Sequence, residues 1–310
     1  MEQLIARNLK SFRAYLTRAD FRRQHGHVKS AASNVKIAYQ LAPDELDVLA
    51  LVAEFMLGYN PAAGADTSFD LLDVRSQLKQ AQLDHPDAKR LIVALALLDL
   101  RDDMFAAVEA QLRAGLQIHP DDEQLLQLYA DVLIYRGKVD IARQELDRLR
   151  KTNKLPSIVM YLEARLAMVH REYLVASRLL VSIRPQLIGR SQLQTAADLH
   201  LARCYEKLGQ NEQCLAAYRR AATLDVLSVD ARMDLAYTLF RLGRFDEALT
   251  NYRQLTAVPG VALEIARLMV LRNLDFPEDE RNWGEVDQAL DVTTDDKQGL
   301  VDVILHRTSI

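Results

Sequence analysis

The closest approach in this 310-residue sequence to a metal-ligand motif is His25-Gly26-His27. Two imidazoles flanking a glycine would meet one ion only with further ligands, and the pair stands in a short polar stretch of the kind that links two helices. His85 and His119 each precede a proline, in Leu83-Asp84-His85-Pro86-Asp87 and Gln117-Ile118-His119-Pro120-Asp121, so they belong to a recurring element. Cys204 and Cys214 are too few for a disulfide framework and read as small buried residues of a reducing compartment. The sequence has no phosphate-binding Gly-rich loop, no His-Glu-x-x-His and no Gly-x-Ser-x-Gly elbow. It is therefore read as non-catalytic, with no catalytic residues, no metal site and no cofactor.

The elements that carry these residues repeat. Pro86 and Pro120 lie 34 residues apart, as do Gly209 and Gly243 in Lys207-Leu208-Gly209-Gln210 and Arg241-Leu242-Gly243-Arg244. Registering the chain on these marks gives repeats that start near residues 12, 46, 89, 123, 157, 195, 229 and 263. Five of the seven steps are 34 residues, and the others, 43 and 38, carry insertions. The eighth position of the first seven repeats is Ala19, Ala53, Ala96, Ala130, Ala164, Ala202 and Ala236. The twentieth is small or branched: Ala31, Val74, Val108, Ala142, Ala176, Cys214 and Ala248. The twenty-fourth is large and apolar, from Val35 and Leu78 to Tyr218 and Tyr252. Small residues let paired helices approach closely, and large ones fill the space between repeats.

Each repeat reads as two helices around a tight turn, for example Glu123 to Tyr135, then Arg136-Gly137-Lys138, then Val139 to Leu149. Gly26, Gly137, Gly209 and Gly243 occupy that turn. Pro43, Pro86, Pro120, Pro156, Pro185 and Pro259 fall at repeat ends, while Pro61 and Pro277 fall in insertions, so no proline interrupts a helix. The expected insertions are Gly58 to Asp66, Ile188 to Ser191 and Phe276 to Asn282.

The pattern resembles the tetratricopeptide repeat family, in multi-repeat members of bacterial type. The residues that carry the resemblance are Leu201-Ala202-x-x-Tyr205 with Gly209, Cys214, Tyr218 and Ala221, and Leu235-Ala236-x-x-Leu239 with Gly243, Phe245, Ala248 and Tyr252. Arg22 and Asp99 depart from it at a position usually apolar, and no repeat has the usual aromatic early in its first helix. Trp283 matches the position of Phe105, Tyr173 and Phe245, which packing explains. The resemblance implies an all-α, right-handed α-solenoid of about eight helix-turn-helix repeats, one array over residues 1–310, with the first helices lining a concave groove. The family's groove positions hold Tyr161, Arg165, Arg203, Lys207, Met233, Tyr237, Phe240, Arg241 and Arg267 here, with His200 adjacent. Aromatics and arginines suit a peptide ligand, although arginines also solvate helical faces. The family's carboxylate-clamp constellation is absent, so chaperone-tail binding is not expected.

Hydrophobic residues make up 49% and charged residues 26%, which excludes a disordered chain, and the net charge of -4 disfavours a dedicated nucleic-acid binder. Residues 1–41 nevertheless carry Arg7, Lys10, Arg13, Arg18, Arg22, Arg23, Lys29 and Lys36 against Glu2 and Asp20. This is either a charged end face or a contact for an acidic partner or nucleic acid. No apolar run would span a membrane, and no signal core precedes Arg7, so a cytoplasmic location is the default if Met1 is the native start. The expected function is a protein–protein interaction scaffold that binds a peptide or helical segment in the groove. The alternative is a recognition arm of a larger enzyme whose catalytic domain lies outside this chain. A partial ninth first helix is expected at Val301 to Ile310, with Thr308 at the small-residue position.

Overall fold

The computed structural model describes residues 11–24, 28–57, 71–152, 154–225, 228–256, 258 and 260–291. His25-Gly26-His27, the insertion at 58–66, Pro259 and the expected ninth helix at 301–310 lie outside the described residues. The chain divides into two compact units, Met1–Val159 and Met160–Ile310, with the boundary inside one helix. Among the described residues there are sixteen α-helices and no strand.

The helices pair as the 34-residue register requires. In order they are α1 (Phe12–Gln24) with α2 (Val28–Leu41), α3 (Leu46–Leu57) with α4 (Leu71–Asp84), α5 (Lys89–Arg101) with α6 (Phe105–Ile118), and α7 (Glu123–Tyr135) with α8 (Val139–Thr152). They continue as α9 (Pro156–Val169) with α10 (Tyr173–Ile183), α11 (Ser191–Lys207) with α12 (Asn211–Leu224), α13 (Val229–Arg241) with α14 (Phe245–Tyr252), and α15 (Val261–Leu274) with α16 (Trp283–Asp291). In the first unit α2, α4 and α6 pack on the first helices of the next repeats, α3, α5 and α7. In the second, α10, α12 and α14 pack on α11, α13 and α15. Each unit is thus a stack of helical hairpins, and the fold is an all-α solenoid type.

Side-chain volume explains the stacking. All seven eighth-position alanines are buried, six of them at 0% exposure. The twentieth-position residues, Cys214 included, are also buried. Beside them Leu78, Leu112, Leu146, Leu180, Tyr218 and Tyr252 fill the space that the alanines leave.

The turn inside each hairpin has one backbone solution. In the repeat of α7 and α8, Gly137 N–H donates to Ile134 O at 3.0 Å, and Lys138 N–H reaches back to Leu133 O at 2.8 Å. The same two bonds recur around Gly209 and Gly243, and all three glycines have φ near +70°. In two repeats no glycine marks the turn, yet Asp103 (φ 57°) and Arg171 (φ 61°) take the same left-handed conformation and make the same pair of bonds. Hairpin packing therefore overrides the steric cost of Cβ at those positions.

The irregular steps have structural content. The fifth repeat ends in a 3-10 turn, Arg184–Leu187, and the four extra residues that follow hold a left-handed Gly189 (φ 86°) and let α11 begin four residues ahead of the register, at Ser191. In the eighth repeat a 3-10 turn at Glu278–Glu280 separates the helices. Asn273 staples that excursion: its Nδ2 donates to Asn282 O at 2.7 Å, and Asn282 N–H donates to its Oδ1 at 3.2 Å.

Asp99, which stands where an apolar residue is usual, is fully buried and has a partner in the preceding repeat. Arg75 Nε on α4 lies 3.2 Å from its carboxylate, and Gln111 Nε2 on α6 donates to it at 2.8 Å. Arg75 is itself held by Asp102 at 2.6 Å and by Leu98 O at 3.2 Å. A charge in the helix seam is thereby tolerated because three helices converge on it.

Candidate functional site on the first helices of the second unit

The expected groove residues all fall in the second unit, and the structure gathers most of them along α9, α11 and α13. Tyr161 packs its ring on His200, with centroids 5.8 Å apart and planes at 47°. Tyr161 is only 7% exposed, so it forms the floor of this face. Burial pushes its phenol well above the usual range. His200 Nδ1 is shielded from solvent and makes no hydrogen bond. Burial, then the guanidiniums of Arg165 and Arg203, hold the imidazole down to about 3, so it is neutral at physiological pH. Burial and the neighbouring Arg203 also pull Arg165 down to about 10, which leaves it charged.

Toward solvent the face becomes a mesh of aromatic and charged groups. Arg203 pairs with Asp234 of the next repeat at 3.1 Å, and Arg241 pairs with Glu206 of the repeat before. Although burial would lower it, Arg203 is raised by Asp234. Arg241 lies over the Tyr237 ring at 5.9 Å, and Tyr237, Phe240 and Phe245 form a chain of tilted rings 6.3–6.4 Å apart. Tyr237 is 51% exposed. It stands beside a depression of about 400 Å³ lined by Met168, Tyr173, Arg203, Lys207, Asp234 and others. Lys207 is exposed and makes no hydrogen bond or ion pair among the described residues. Met233 and Arg267 are half-buried, and Arg267 is occupied by Glu264 on its own helix at 3.3 Å, so nothing draws these two into the cluster.

Sequence reasoning missed Asp234, Glu206, Tyr173 and Tyr218 as members of this face. The first two were findable, because each lies about one repeat from an arginine, and stacked hairpins bring such pairs together. The tyrosines come from second helices and carry no first-helix signature.

The other chemistry-bearing residues are structural. Cys204 and Cys214 are buried free thiols, both pushed up to about 11 by burial, so neither is a ready nucleophile. His119 Nε2 sits 2.8 Å from Asp87 O and ties two repeat ends together. At the basic N-terminal end, Arg18 donates to the buried Asn34 at 2.7 Å and lies over Tyr15. Among the described residues no group of three His, Cys, Asp or Glu could hold a metal ion. Among them, too, no helix is long and apolar enough to cross a membrane.

The state of His200 has a consequence for stability. Its folded pKa lies below the unfolded value of about 6.5, so the unfolded chain takes up a proton first. Stability is full above that value and is lost as pH falls toward 3. Between pH 6.5 and 5, where carboxylates stay ionised, His200→Gln is expected to flatten the pH dependence of the urea midpoint. The difference should be at most about 1.4 kcal/mol per pH unit. Equal slopes for the two proteins would show that the imidazole is solvated.

The tetratricopeptide repeat family model matches residues 190–262, which hold α11 to α14 and the start of α15. Solved structures align over much more of the chain. A tetratricopeptide repeat protein from Parabacteroides merdae aligns with a TM-score of 0.59 and 13% identity, across 84% of this chain and 98% of that one. Yeast Tom70 aligns at 0.60 and 13%, across 88% of this chain and 56% of Tom70, so the chain spans little more than half of that protein. PilF of Pseudomonas aeruginosa aligns at 0.51 and 14%, across 74% and 97%. No curated protein sequence matches the chain. At these identities the likeness is one of fold. By the family model, residues 190–262 are tetratricopeptide repeats, and the hairpins on either side of them share the fold of such proteins.

Proposed function

We propose that this chain is a protein-interaction scaffold that holds an extended or helical segment of another protein against the first-helix face of α9, α11 and α13. The fold is of the kind that serves protein interaction in general. The observation that carries the specific reading is Tyr237, half exposed, stacked and capped by Arg241, beside a depression edged by Lys207, which has no ion pair among the described residues. A large aromatic held rigid at a surface gives contact area at little entropic cost, and such residues dominate binding energy at interfaces. Arg203 and Arg241 work differently. Their charges are neutralised by Asp234 and Glu206, so they shape the face and couple neighbouring repeats.

Affinity capture with the whole chain, followed by binding measurements on the retained protein, tests this. Tyr237→Ala and Lys207→Glu are expected to weaken binding, Tyr237→Ala by at least about tenfold. Both should leave the melting temperature unchanged, since neither residue is buried. Arg203→Glu is the contrasting case: it sets two carboxylates against each other and should lower stability as well. Unchanged affinity in both of the first two variants would remove this face from the interaction.

A further inference from the structure

A second site lies at the irregular junction between the fifth and sixth repeats and shares no residue with the Tyr237 depression. Its centre is Asp198 on α11, whose side chain is 2% exposed. Arg220 on α12 donates to Asp198 Oδ1 from Nε at 3.0 Å and from Nη2 at 2.8 Å. Arg184, on the 3-10 turn just before the insertion, brings its Nε within 3.1 Å of the same oxygen. One buried carboxylate thus fixes two guanidiniums, each more than a third exposed. All three short contacts converge on a single oxygen. The terminal fork of Arg184 is left without a partner among the described residues, and that fork is what chelates oxyanions.

Above this anchor is a depression of about 340 Å³, edged by Gln194, Arg219, Thr223 and Leu224. Among the described residues the Arg219 guanidinium is held only by Glu247, at 2.8 Å, in a pair whose two members are each nearly half exposed. Three guanidiniums therefore ring a hollow whose one buried anion is Asp198. The missing charge is about two, since the Arg219–Glu247 pair is solvated and exchanges readily. Leu224, 40% exposed, and the arginine stems give the hollow an apolar side. The volume is at the lower edge of small-molecule sites, too large for a bare ion and suited to an anion with a small body.

We propose that this hollow binds a phosphomonoester dianion, with Arg184 and Arg220 pre-oriented by Asp198 and Arg219 swinging in. A phosphomonoester carries about the missing charge and presents three acceptor oxygens to fixed forks. The same chemistry is offered by a phosphorylated side chain of a partner and by a small phosphate ester.

The test is calorimetric titration of the whole chain at constant ionic strength with phenyl phosphate, a phosphoserine peptide, inorganic phosphate and acetate. Arginine Nε–Hε NMR locates the site. Saturable binding of the phosphate ligands is expected, with the Nε resonances of Arg184 and Arg220 moving, and with acetate at least about tenfold weaker. Arg184→Gln, which leaves the Arg220–Asp198 pair intact, should weaken binding at least about tenfold at unchanged helicity. Arg219→Gln, outside that cluster, is the second variant and should weaken it less. A tighter phosphopeptide assigns the source to a partner protein, and a tighter phenyl phosphate assigns it to a small ester. No saturation, equal binding of acetate, or wild-type affinity in both variants would overturn the proposal.

Discussion

Arg75→Ala is expected to cost about 3–5 kcal/mol of unfolding free energy, the largest effect of any single truncation considered, because it strands the buried carboxylate of Asp99 with only Gln111 as a donor. Asp99→Leu should cost less. The guanidinium it leaves keeps Asp102 at 2.6 Å and Leu98 O, and Asp102 is a third exposed. Converting both residues, Arg75→Met with Asp99→Leu, should return stability to near the wild-type value, since a hydrophobic pair of similar volume removes the desolvation cost on both sides. Urea unfolding of the three variants, followed by circular dichroism, measures this. A loss below about 1 kcal/mol in Arg75→Ala would mean that water reaches Asp99 and that the network does not bind the second repeat to the third.

The second large effect is steric. Ala202 has no exposed surface and sits at the eighth position of its repeat, on the face of α11 that packs in the core. Ala202→Leu is expected to cost about 1–3 kcal/mol by forcing the α11–α12 hairpin apart. Ala216→Leu, on the exposed side of α12, should stay within about 0.5 kcal/mol. The comparison separates overpacking from helix propensity, because both substitutions replace alanine with leucine on adjacent helices. Equal losses at the two positions would contradict the register.

These residues show what a sequence can disclose about such a fold. The alanines were legible because a steric requirement repeats every 34 residues and leaves the same small side chain each time. The turn was legible at Gly137, Gly209 and Gly243. It was silent at Asp103 and Arg171, where the backbone is the same but the residue gives no sign of it. Asp99 stood out as an anomaly, yet its explanation lies in Arg75, on the second helix of the repeat before. No pattern within one repeat points there.

The candidate face was legible by position and less so by state. Family positions placed Tyr161, Arg203 and Tyr237 on the first helices, and the structure brings them onto neighbouring helices. It also distinguishes a buried floor at Tyr161, a neutralised Arg203 and an exposed Tyr237, three conditions that one-letter patterns do not separate. The Arg184–Asp198–Arg220 cluster was out of reach for a different reason. Arg184 ends the fifth repeat in a 3-10 turn, and the four-residue insertion after it changes the spacing to Asp198, so no periodic comparison would align the two.

A partner segment lying on the first helices of the second unit should be within reach of a benzophenone side chain placed at Tyr237 in the whole chain, and out of reach of the same group at Val181, which is 46% exposed on the second helix α10. On irradiation with the captured partner, cross-linking is expected from position 237 and little from position 181. Efficient cross-linking from 181 with none from 237 would place the partner on the other face.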